Sequence, residues 1–140
     1  DWGDKVREVF IYGDASGNRA DTRAAISDYD IAMNSLRRWA GARSKRVQRL
    51  NPEVRKRILF ICAIFEGKIP GVEIVIDRDC TNLVQDLMLV KEDANGGKLK
   101  QRVTENGVSF EKYGHTSDAL EYLVTTLCPA QFRDFERLIR

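Results

Sequence analysis

The stretch from residue 9 to 17, Val9-Phe10-Ile11-Tyr12-Gly13-Asp14-Ala15-Ser16-Gly17, constrains the fold more than any other. Val6, Val9, Phe10, Ile11 and Tyr12 form a short apolar run rich in β-branched and aromatic residues, and that length and composition predict a buried strand. The run stops at Gly13-Asp14, and Ser16-Gly17-Asn18 follows as a turn. A carboxylate therefore stands where a central strand would leave its sheet, the edge at which open α/β sheets gather ligands. The alternative for Asp14 is a turn aspartate accepting backbone hydrogen bonds.

The rest of the chain supplies elements to flank such a strand. A polar turn over residues 16–25 carries Arg19 and Arg23, and Tyr29, Ile31, Met33 and Leu36 fall on near-alternating positions that predict a second strand, the hairpin partner of the first. Between residues 37 and 57 stand nine Lys or Arg and a single acid, Glu53, with Trp39 among them. Basic clustering with an aromatic points to a polyanion, against the alternative of a surface helix with snorkelling side chains. Asn51-Pro52-Glu53 reads as a helix start with Asn51 as cap, and Val54, Ile58, Ile61, Cys62 and Phe65 repeat at helical spacing up to Gly67.

Val72-Glu73-Ile74-Val75-Ile76 predicts another strand, ending at Asp77-Arg78-Asp79, before helical spacing returns at Leu83, Leu87 and Val90. That alternation implies a crossover and parallel pairing. Asn106-Gly107 between extended arms predicts a hairpin. His115-Thr116-Ser117-Asp118 opens a helix through Leu120, Leu123, Val124 and Leu127, and Pro129 breaks it and opens a last one.

Length, at 140 residues, predicts one domain over 1–140 with enough apolar residues for a single core. No apolar run approaches the ~18 residues of a membrane span. Cys62, Cys80 and Cys128 are odd in number and widely spaced, which argues against a zinc site or disulfide framework and for a reducing compartment. The opening Asp1-Trp2-Gly3-Asp4, with no Met, suggests a fragment of a longer protein.

Three carboxylates thus fall at element ends: Asp14, Asp77 and Asp118, with His115 three residues before the last. Acids gathered without a cation repel one another, and hard divalent ions prefer all-oxygen surroundings. Two such ions ~4 Å apart are the machinery of phosphodiester cleavage.

The motif order resembles the nuclease domain of the large terminase subunit of tailed bacteriophages, a ribonuclease H-like family. The matching stretches are Tyr12-Gly13-Asp14-Ala15-Ser16-Gly17-Asn18, Ser27-Asp28-Tyr29-Asp30-Ile31, Asn51-Pro52, Ile74-Val75-Ile76-Asp77 and His115-Thr116-Ser117-Asp118-Ala119-Leu120-Glu121-Tyr122. The resemblance implies an α/β fold with a central mixed β-sheet flanked by helices and an added β-hairpin. It implies a metal-dependent DNA endonuclease that cuts concatemeric viral DNA during packaging, with two Mg²⁺ or Mn²⁺ ions. It places metal ligands at Asp14, Asp77 and Asp118, all three catalytic, puts His115 near the metals, and leaves Asp79 able to replace or supplement Asp77. It also implies an ATPase motor domain in the same polypeptide, absent here because there is no G-x-x-x-x-G-K-[ST] stretch. The implied partners are double-stranded DNA, the portal and the small terminase subunit, in the cytoplasm of an infected bacterium, with no membrane.

Arg43, Lys45, Arg46 and Arg49 are the candidate phosphate contacts, with Lys98, Lys100 and Arg102 as an alternative path. Two other readings compete. One is a different ribonuclease H-like enzyme, such as a junction resolvase or recombinase. The other is a non-catalytic DNA-binding or assembly module in which the acids are structural.

Overall fold

The computed structural model describes residues 4–20 and 26–139, in two compact units that divide between Asn51 and Pro52. The turn expected over 16–25 is described only to Ala20, and Arg23 lies outside the described residues.

In the first unit the apolar run is extended but only half-buried. Val9 N donates to Trp39 O at 3.1 Å, Ile11 N to Ser44 O at 2.8 Å, and Arg46 N to Ile11 O at 2.8 Å. This amounts to one parallel bridge, Ile11 to Lys45, rather than a strand. A buried strand needs neighbours along both edges, and this segment is bridged along one only among the described residues. A short 3₁₀ turn, Ala15–Asn18, follows, capped by the Asp14 side chain.

The second predicted strand is a helix, α1 (Asp28–Ser35). Ser27 and Asp30 form a reciprocal capping box: the Asp30 N–H donates to Ser27 Oγ at 3.2 Å and the Ser27 N–H to Asp30 Oδ2 at 3.1 Å. The residues α1 half-buries, Tyr29, Ala32 and Met33, together with Leu36 just beyond it, run i, i+3, i+4, i+7, which is the helical period. Ile31, on the supposed strand face, is exposed.

The second unit holds α2 (Val54–Phe65), α3 (Thr81–Leu89), β1 (Arg102–Glu105), β2 (Val108–Glu111), α4 (His115–Leu127) and α5 (Pro129–Leu138). Helix α2 begins after Glu53 rather than at Asn51 and Pro52. Its end is a Schellman motif: Gly67 N donates to Ile64 O and Lys68 N to Ala63 O, with Gly67 left-handed at φ 69°. Its buried face is Arg57, Phe60, Ile61, Ala63 and Ile64, rotated from the expected stripe, so Val54, Leu59, Cys62 and Phe65 are exposed.

Phe60, Ile61 and Ile64 pack with Val124 of α4 and Phe132 of α5 to make the core, and Phe60 meets the Phe132 ring edge-on at 5.1 Å. Only Cys128 separates α4 from α5, and Pro129 opens the latter, as the sequence indicates.

Antiparallel β1 and β2 pair Val103 with Phe110 and Glu105 with Val108 around Asn106 (φ 52°) and Gly107 (φ 77°), the two left-handed residues a tight hairpin demands. Residues 72–76 carry no regular secondary structure and alternate half-buried with exposed, with Val72 and Ile74 against the core. Among the described residues they pair with no strand.

Among the described residues the architecture is therefore five α-helices with one two-stranded antiparallel sheet. The expected ribonuclease H-like central mixed sheet is absent among them: of its three predicted strands one is a helix, one a single bridge and one an irregular segment without a strand partner. The hairpin is present. No described helix is long and apolar enough to cross a membrane.

Candidate functional site

Asp14 is held firmly within the first unit. Its Oδ1 accepts from the Ser16 N–H at 2.7 Å and from Asn51 Nδ2 at 2.6 Å, and its carbonyl accepts from the Tyr29 hydroxyl at 2.8 Å. Asn51 accepts in turn from the Ala15 N–H at 2.8 Å. The predicted helix cap is thus the clamp of this turn. Gly13 and Gly17 are glycines because Tyr29 lies across both: a Cβ on Gly13 would collide with the Tyr29 hydroxyl, and one on Gly17 would meet the ring at 2.8 Å. Burial, then the Asp14 and Asp28 carboxylates, push the Tyr29 phenol up, so it stays a donor.

The basic segment shares this unit. Lys45 Nζ lies over the Tyr29 ring at 5.5 Å, and the Arg46 guanidinium stacks 3.6 Å from the Phe10 ring centre and donates to Tyr12 Oη at 3.1 Å. Two of the four candidate phosphate contacts are thereby ordered by aromatic faces. Arg43 and Arg49 are exposed.

The second unit carries Asp77, Asp79, His115 and Asp118. Asp77 is exposed, and its Oδ1 accepts from the Asp79 N–H at 2.9 Å, turning the carboxylate back on its own loop. His115 is the exposed first residue of α4. Asp118, one turn later, is a corner of a closed ring of four charges. Its Oδ1 lies 2.8 Å from Lys98 Nζ and 3.4 Å from Arg57 Nη2. Lys98 Nζ is 2.7 Å from Glu121 Oε1, and Glu121 Oε2 is 3.1 Å from Arg57 Nε.

Arg57 also donates to Pro52 O at 2.8 Å and stacks on the Tyr122 ring at 4.4 Å. Arg57 and Glu121 are buried, the Lys98 side chain is 12% exposed, and that of Asp118 is 39% exposed, so the ring opens to water chiefly at Asp118. Lys98 is thus withdrawn from the alternative DNA path, and Lys100 is paired with Glu111 at 2.9 Å.

Asp86 on α3 fixes the start of α4. Its Oδ2 accepts from the Thr116 N–H at 2.9 Å, the Thr116 hydroxyl at 2.6 Å and the Ser117 N–H at 3.1 Å, capping a neighbouring helix. Burial pushes its carboxyl up, but the hydrogen bonds from Thr116, Gly114 and Ser117 outweigh it and hold the group below its ordinary value. A cleft of about 340 Å³ is lined by apolar Leu59, Cys62 and Phe65 and by polar Asp86, Lys98 and Glu121.

Sequence reasoning passes over Arg57, Glu121 and Asp86, and reads Lys98 only as an alternative phosphate contact. A signal was there: Arg57 sits on the apolar face of α2 and Glu121 on that of α4, opposite charges on two stripes that pack together. Of the predicted site residues, Asp14 belongs to the first unit and Asp77, His115 and Asp118 to the second. No group of three or more His, Cys, Asp or Glu able to hold a metal occurs among the described residues. Comparison with protein-family models, curated proteins and solved structures finds no match to this chain.

Proposed function

We propose that the chain is a metal-dependent endonuclease domain for double-stranded DNA, acting in viral genome packaging in the cytoplasm of an infected bacterium. The observation that carries this reading is the company Asp14 keeps. A hydrogen-bonded carboxylate shares one unit of about fifty residues with a basic segment whose Lys45 and Arg46 are pre-ordered by aromatic rings. Ordered cations bind phosphates without sequence preference, and a fixed acid nearby is what cleavage requires in addition.

Asp14 in the first unit, and Asp77 and Asp118 in the second, each offer carboxylate oxygens of the kind that suits hard ions such as Mg²⁺ or Mn²⁺. Lys98 and Arg57 both reach Asp118 at Oδ1. Bound ions would activate water and stabilise the leaving oxygen. The chain's own part is to fix the carboxylates and to hold DNA through Arg43, Lys45, Arg46 and Arg49. The ATPase domain, the portal and the small terminase subunit are the partners that the motif resemblance suggests.

A second reading, a DNA-binding module without cleavage, is favoured by one observation: Asp14 makes the bonds of a structural turn. Plasmid cleavage in Mn²⁺ by the wild type, Asp14→Asn and Asp118→Asn separates the two. Wild-type nicking lost in both variants, with circular dichroism unchanged, supports the nuclease; nicking by Asp14→Asn above a mock-purified control overturns it. A junction resolvase or recombinase would instead prefer four-way junctions to linear duplex.

A further inference from the structure

Lys98 is an unusual lysine. Its Nζ is surrounded by oxygens: Glu121 Oε1 at 2.7 Å, Asp118 Oδ1 and Ser117 Oγ each at 2.8 Å, and Gly114 O at 3.5 Å. An ammonium has three protons and no acceptor, so three short contacts saturate it. The oxygens come from the first two turns of α4 and the residue before it, whereas the lysine comes from the loop after α3, where Lys98 pairs with Glu92 in an antiparallel bridge. Two glycines shape that loop: a Cβ on Gly96 would meet Arg55 Cδ at 2.8 Å, and one on Gly97 would meet Asp93 Oδ2 at 3.0 Å. The backbone is thus built to deliver one cation into an all-oxygen cage that lines the cleft.

We propose that Lys98 is a positioning residue for Asp118, an internal cation that occupies the place between Asp118 and Glu121 where a metal ion would otherwise settle. The inference rests on the nuclease reading for its purpose, though not for its test. By holding Oδ1 inward, the ammonium fixes the carboxylate plane and leaves Oδ2 as the oxygen offered to an active-site metal. By filling the cage, it keeps a metal off the Asp118–Glu121 pair, where the ion would be buried away from DNA. A divalent ion is smaller than an ammonium and prefers contacts of ~2.1 Å, so it enters only if the lysine leaves. Arg57 cannot replace Lys98, because its planar fork is already committed to Glu121, Asp118 and Pro52 O.

The test counts Mn²⁺ ions. The full 140-residue chain is titrated with MnCl₂, with free Mn²⁺ followed by electron paramagnetic resonance, as wild type, Lys98→Ala and Lys98→Ala/Glu121→Gln. Folded Lys98→Ala is expected to bind one more ion per chain than wild type, and the double variant to lose it. Equal counts in folded wild type and Lys98→Ala would overturn the proposal, since an ordinary structural ion pair leaves no cation site behind. Should Lys98→Ala be unfolded without metal, recovery of its circular dichroism on adding Mn²⁺ supports the proposal and failure to recover overturns it. Absence of Mn²⁺-dependent plasmid cleavage by the wild type would remove the nuclease reading alone, because the ion count still decides what fills the cage.

Discussion

Replacing Arg57 by methionine should be among the most damaging single changes in the second unit. The side chain is 2% exposed, and methionine refills most of its volume, so the effect isolates charge and hydrogen bonding. Three hydrogen bonds are lost, to Glu121, Asp118 and Pro52 O, together with the stacking on Tyr122. Removing one partner of a buried ion pair costs ~3–5 kcal/mol, because the remaining charge is stranded.

Lys98 still touches both acids after the change, which favours the lower end, about 3 kcal/mol. That is a large share of the ~5–15 kcal/mol by which domains are stable. Arg57→Met/Glu121→Met removes one charge of each sign and leaves Lys98 paired with Asp118 at 2.8 Å. Its cost should fall below the sum of the single variants by about 2 kcal/mol or more, within the range for residues in one network. Urea unfolding with an unchanged slope is the assay. A loss under about 1 kcal/mol in Arg57→Met, or additivity in the double variant, would refute the argument that the ring acts as a unit.

Phe60→Ala should cost ~3–5 kcal/mol by urea unfolding, since its fully buried ring is packed against Phe132 and Phe135. Asp86→Asn should cost ~1–2 kcal/mol and fray the start of α4, seen as faster amide exchange at Thr116 and Ser117. The folded Asp86 carboxyl titrates below its ordinary 3.8, so its stabilising contribution is complete above that value and is lost as pH falls through the lower folded value. Acid unfolding of Asp86→Asn should accordingly lack that part of the wild-type slope below about pH 4. Neutralising Arg43 and Arg49 should weaken duplex DNA binding and reduce the log–log salt slope by ~0.9 per lost phosphate contact, read by fluorescence anisotropy across salt; an unchanged slope would move the DNA path off this segment.

What the sequence made legible were elements whose signals are local. The Asn106-Gly107 hairpin needs two adjacent left-handed residues, Gly67 ends α2 because it adopts the required φ cheaply, and Pro129 is barred from a helix interior but suits the first position of α5. The misreadings share a cause. Strands are completed by partners far away in sequence, so the apolar runs at 6–12 and 72–76 looked like strands while nothing local could say whether a ladder would form.

At residues 28–35 alternation and helical period coincided, and the Ser27–Asp30 cap decided between them. Asp14 and Asp118 were picked out by their place at element ends, and both proved to be hydrogen-bonded centres. Glu121 is not singled out, and Lys98 reads only as an alternative phosphate contact, because a buried charge announces itself only when its counter-charge is known to face it, and those partners lie 20 or more residues away in the chain.

The irregular segment at 72–76 places Val72 and Ile74 against the core on a backbone that no ladder among the described residues secures. Packing and amide protection, which usually rise together, are separated there. In a deuterium pulse the amides of residues 73–76 should take up label within the fast phase of loops, although Val72 and Ile74 touch a core whose helical amides label only on unfolding. The second unit would then show, by mass spectrometry of its peptides, a rapidly labelled window lying against its slowest helix.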